Sequence, residues 1–128
     1  MNTTQQVFDY VVSHLITQGK QSVTDTSTYD GCAYRGNGGT SCAVGCLIPE
    51  SEYHSNLESL SVEDILDEDL VPTLKKLSNI PSMSKLLSDL QRFHDERDNW
   101  SETSSLSPAG FEYLFEVAAD HGLKLNLS

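Results

Sequence analysis

Apolar residues recur along this chain at helical spacing in five places. Val7, Phe8, Val11, Val12, Leu15 and Ile16 form one stripe, which predicts a helix over residues 3–18. Thr3 or Thr4 can cap its start, and Gly19 is placed to stop it. Ser61, with Asp64 three residues on, opens a short helix whose apolar side is Val62, Ile65 and Leu66. Val71-Pro72 starts a second short helix, with Leu74 and Leu77 facing inward. Met83, Leu86, Leu87, Leu90 and Phe93 mark the clearest helix, over residues 82–96. Ser107-Pro108 opens the last helix, over 108–121, with Phe111, Leu114, Phe115, Ala118 and Ala119 as its expected core stripe.

Two stretches carry β signals. Residues 31–49 contain Gly36-Asn37-Gly38-Gly39, residues that accept positive φ, flanked by short segments able to pair. This predicts a β-hairpin at residues 32–44. A two-stranded hairpin is marginal alone, so it must dock on the helices. Leu123, Leu125 and Leu127 alternate with Lys124 and Asn126, which predicts a short terminal strand. Residues 22–30 and 97–106 read as polar loops, the latter holding the only tryptophan, Trp100. The expected fold is therefore α+β: a mainly helical single domain with a small hairpin packed on the helices. At 128 residues the length suits one core.

Charge narrows the function classes. Eight basic and nineteen acidic residues leave a net charge of −11. Direct nucleic-acid binding needs a basic footprint, and anionic membranes repel such a chain. No apolar run approaches a membrane span, and no basic start followed by an apolar block marks a secretory leader. The expected location is the cytoplasm. The acidity is concentrated: residues 50–69 hold eight acids and no base. That stretch reads either as a solvated face or as a surface for a basic partner. Glu63, Asp64, Asp67, Glu68 and Asp69 are the candidate contacts. They lie on or just after the short helix, and so are expected to be better ordered than Glu50, Glu52 and Glu58.

Cys32, Cys42 and Cys46 lie within fifteen residues. The odd count and missing leader argue for reduced thiols. Gaps of nine and three residues do not match the paired spacing of structural zinc sites. The cysteines are read as small buried hydrophobes, with no cofactor or metal expected. The alternative is a small zinc- or cysteine-dependent enzyme using this loop with His94. That histidine falls near the apolar stripe of its helix, which instead suggests a hydrogen-bonded core residue. Tyr34 and Arg35 on the hairpin are further candidate contacts, Arg35 either anchoring a partner's anion or pairing with an internal acid.

The run Cys32-x-Tyr34-Arg35-Gly36-x-x-Gly39-x-x-Cys42-Ala43-Val44-Gly45-Cys46-Leu47-Ile48-Pro49 resembles a signature of small bacteriophage and prophage proteins. Leu90-Gln91-Arg92-Phe93-His94-Asp95 and Gln18-Gly19-Lys20 extend the likeness. The resemblance implies a phage setting without an activity. With the charge block, it leads to the expectation of a small acidic protein that inhibits or modulates a host or defence protein, its surface able to imitate DNA. A virion structural protein is the other alternative.

Overall fold

Met83–Asp95, the fourth helix of the chain, contacts every other helix. The computed structural model describes residues 1–24, 33–102 and 105–126. Five α-helices are present among the described residues: α1 (Thr4–Gln18), α2 (Val62–Asp67), α3 (Pro72–Ser78), α4 (Met83–Asp95) and α5 (Pro108–Asp120). The fold is the expected mainly helical α+β arrangement. The helices start where their caps were read. Thr3 accepts from the Gln6 N–H, Ser61 from Asp64 and Ser107 from Gly110, while Pro72 and Pro108 occupy first-turn positions. Gly19 ends α1 at φ 75°, a left-handed position that favours glycine.

The core is continuous. Val7, Phe8, Val11 and Leu15 of α1 and Leu86, Leu87, Leu90 and Phe93 of α4 are sealed from solvent. Ile65, Leu74 and Leu114 bring α2, α3 and α5 onto them. Each such side chain contributes about 1.5–3 kcal/mol by leaving water.

The predicted hairpin at residues 32–44 is corrected to a single antiparallel bridge, Arg35 with Ser41, around the Asn37–Gly39 turn. Gly38 and Gly39 have φ of 70° and 77°, so the turn chemistry was read correctly. The strands do not extend because side chains from elsewhere take the backbone donors that a ladder needs. Glu58 accepts the N–H groups of Tyr34 and Arg35, Gln18 that of Ser41, and Gln91 that of Val44. Beyond Cys42 the chain coils into a tight turn at Gly45–Leu47.

The two-stranded sheet lies instead in the segment read as a polar loop. There β1 (Trp100–Ser101) pairs antiparallel with β2 (Ser105–Leu106), Trp100 opposite Leu106. Residues 123–126 form no strand; Gln5 of α1 holds them by accepting the Lys124 N–H and donating to its carbonyl. Leu127 and Cys32 lie outside the described residues. The α5 stripe is also rotated from its expected position. Gly110, Leu114, Val117 and Ala118 face the core, while Phe115 is 58% exposed and Ala119 is exposed.

Candidate functional site

The eight carboxylates of residues 50–69 divide into two groups. Glu50, Glu52 and Glu58 bind the chain to itself. Glu50 pairs with Arg35 at 2.9 Å. Glu52 accepts from the Thr73 N–H at 2.8 Å and from its hydroxyl at 2.7 Å, capping α3, whose own N-cap residue Val71 offers no side-chain acceptor. Glu58 takes the Tyr34 and Arg35 amides and the Tyr53 hydroxyl, the last at 2.5 Å. Burial, and then this bond to a carboxylate, push the Tyr53 phenol up to about 12. Glu52 and Glu58 are thus stitched into the structure by several hydrogen bonds, and Glu50 by one ion pair at the surface.

The second group is the set expected to meet a partner: Glu63, Asp64, Asp67, Glu68 and Asp69. All five are exposed. Val62, Ile65 and Leu66 bury the opposite side of α2, so Glu63, Asp64 and Asp67 point outward from a fixed helix, with Glu68 and Asp69 at its end. Ser88 donates to Glu63 at 2.6 Å, and this bond holds its carboxyl below the usual range. Lys75 lies 3.0 Å from Asp69, so the block does have counter-charges, here and at Arg35. Asp64, Asp67 and Glu68 have no ion pair among the described residues. Leu70, 40% exposed, closes the patch. Its N–H returns to the Ile65 carbonyl while Asp69 N–H reaches Leu66, a Schellman end that places Asp69 at φ 55°.

Tyr34 and Arg35 serve the interior. Tyr34 is 6% exposed and its hydroxyl donates to the Leu60 carbonyl at 2.7 Å. Arg35 donates to Glu50 and to the Ile48 carbonyl, and its guanidinium stacks 4.8 Å from the Tyr53 ring centre. The internal pairing weighed for Arg35 is the one observed.

Cys42 is fully buried and accepts the Gly45 N–H; Cys46, half-buried, donates to the Ala43 carbonyl. Burial pushes both thiols up, Cys46 to about 12. His94 has no exposed surface. The Ser22 N–H donates to its Nε2 at 2.8 Å, which places its proton on Nδ1, facing Asp95 at 2.9 Å. With both ring nitrogens engaged, His94 is not placed as a base for Cys42 or Cys46. Among the described residues, no three His, Cys, Asp or Glu side chains converge as metal ligands would. No described helix is long and apolar enough to cross a membrane.

A second charged cluster escaped the sequence reading. Asp89 is 9% exposed on α4 and accepts from Lys85 at 2.8 Å and from His121, at the end of α5, at 2.7 Å. Arg92 lies 3.8 Å away. Burial alone would raise the Asp89 carboxyl, but the bonds from Lys85 and His121 outweigh it and hold it low. The available signal was an acid flanked by bases at i−4 and i+3. An open cleft of about 750 Å³ between α1 and the Gly38-Gly39 turn includes Tyr10, His14, Gln18 and Lys20. Two of its polar groups, His14 and Gln18, already bond Ser41.

Comparison with family models, curated proteins and solved structures finds no match to this chain.

Proposed function

We propose that this chain is a protein-binding module that meets a basic partner through the outer face of α2. In the bacteriophage setting its signature resembles, the partner is a host or defence protein in the host cytoplasm, which the module inhibits or modulates. The observation that carries the reading is the division of the acids. Glu52 and Glu58 brace the fold and Glu50 pairs with Arg35, whereas Glu63, Asp64, Asp67, Glu68 and Asp69 are exposed on or just after a helix anchored from behind, followed at once by the exposed Leu70. Fixed charge around an apolar contact steers encounter and then supplies area to bury. Six residues of helix span about 9 Å. That length suits a compact basic patch better than imitation of a long DNA duplex.

The test is affinity capture from a bacterial lysate with the native protein and with the variant Asp67→Asn/Glu68→Gln/Asp69→Asn. A true partner associates several-fold more slowly with the variant, and its association rate loses salt dependence. Folding is unaffected, because exposed charges contribute little stability. Equal rates and equal salt slopes for the two proteins would remove α2 as the contact surface.

A further inference from the structure

The outer side of α5 carries an apolar ridge that the described residues leave largely uncovered. Pro108, Phe111, Phe115 and Ala119 recur at i, i+3, i+7 and i+11, which aligns them along one side of the helix. Phe111 is partly buried at the edge of the core, while Pro108, Phe115 and Ala119 are exposed. Isolated exposed hydrophobes are ordinary, but three in helical register, continued by the half-buried Phe111, are a face. Their spacing is that of a core stripe. The structure buries the neighbouring stripe of Gly110, Leu114, Val117 and Ala118 instead, so α5 has two apolar faces, and the outer one is packed only at the edge through Phe111.

The charge on the same helix selects the occupant. Glu112, Glu116 and Asp120 stand at i, i+4 and i+8, all exposed, and α5 contains no lysine or arginine. A second copy of this chain would oppose these acids with their own kind. Anionic membrane surfaces are disfavoured for the same reason. A complementary surface must be apolar along one line and positively charged beside it. The ridge runs eleven residues, about 16 Å, which matches three turns of an opposing helix.

We infer that the Pro108–Phe111–Phe115–Ala119 ridge is a docking site for a cationic amphipathic helix of a protein partner. Phe115 is the anchor that enters the partner's apolar seam, and Glu112, Glu116 and Asp120 pair with lysines or arginines at its rim. The inference rests on the reading that this chain binds a basic protein, and adds the element of structure that such a partner presents.

The probe is a fluorescein-labelled peptide of about 18 residues with leucines at helical spacing and lysines elsewhere. A peptide of the same composition in scrambled order controls for charge alone. Anisotropy and backbone amide NMR shifts are recorded in about 50 mM salt, where surface charge is weakly screened. The expected result is binding of the ordered peptide at least about fivefold tighter than the scrambled one. Shifted amides should cluster in residues 111–120. Phe115→Ser should weaken binding by about fivefold or more, and Ala119→Glu should do the same while keeping the phenylalanine. Both positions are exposed, so the variants fold.

Equal binding of the two peptides, no binding, or full binding by Phe115→Ser would overturn the inference. Self-association of the native protein that Phe115→Ser abolishes would make a second copy the occupant and overturn it as well. The two surfaces are separable. Shifts confined to α2, lost in the Asp67/Glu68/Asp69 variant, would remove the α5 site and leave the α2 reading standing. Binding that this variant leaves intact but Phe115→Ser abolishes would do the opposite.

Discussion

The imidazole of His94 accepts the backbone N–H of Ser22 at 2.8 Å, in a setting where both residues are closed to solvent. The same residue's carbonyl accepts from Gln21 Nε2 and from the Trp100 indole. One position on α4 thus ties the segment after α1, the end of α4 and the small sheet together. Replacing His94 by Ala leaves the Ser22 donor buried without an acceptor and opens a cavity. The expected cost is about 3 kcal/mol in urea unfolding. A loss under about 0.5 kcal/mol would mean that water replaces the ring freely.

Gly45 and Gly110 are needed for space, and Gly38 for its backbone angle. A Cβ on Gly45 would stand 2.2 Å from the Tyr34 carbonyl oxygen, and one on Gly110 would stand 2.2 Å from that of Asn99. Gly45→Ala and Gly110→Ala should each lose more than about 2 kcal/mol, because backbone must shift to admit the methyl group. Gly38 has open space around it at φ 70°. Asn tolerates that conformation, so Gly38→Asn should change stability by less than about 1 kcal/mol. Thermal unfolding of the three variants checks the contrast.

Asp69 occupies a left-handed helix end where glycine is preferred. Asp69→Gly should raise stability by about 0.5–1 kcal/mol by releasing that strain. The lost Lys75 contact, between two well-exposed side chains, offsets little of the gain. A lower midpoint in urea would show that the ion pair outweighs the backbone.

Acid should destabilise the protein through Asp89 and Glu63. Both carboxyls are held below their ordinary pKa in the folded state, so the unfolded chain takes up their protons first. Their contribution is complete above the unfolded carboxylate range near pH 4 and is lost as pH falls through the folded values. Asp89→Asn should flatten the fall in stability between about pH 5 and 2, while lowering stability at pH 7. An unchanged acid limb would show that Asp89 is not a principal contributor.

The thiols of Cys42 and Cys46 should resist alkylation. In a Cys32→Ser background, iodoacetamide at pH 8 should modify both far more slowly in the native protein than in urea, since burial keeps them protonated. Rapid native labelling of Cys46 would show that its bond to Ala43 opens readily.

Local chemistry was enough to place the helices. Caps at Thr3, Ser61 and Ser107, prolines at 72 and 108, and the Leu86-Leu87-Leu90-Phe93 stripe each act within a few residues, so each is legible in order along the chain. The inward turn of His94 and the Gly38-Gly39 bend were legible for the same reason. What the tertiary structure decided was competition between distant groups for the same backbone donors. Glu58, Gln18 and Gln91 captured the amides of Tyr34, Arg35, Ser41 and Val44, and a plausible hairpin shrank to one bridge. The acidic block was divisible in sequence by its short helix, but only the approach of Thr73, Tyr53 and Arg35 showed which carboxylates bond back to the chain. On α5 two apolar stripes of equal periodicity were available, and which one faced inward depended on how the helix seated against α4 and the Arg97–Asn99 turn, a choice that no local pattern encodes.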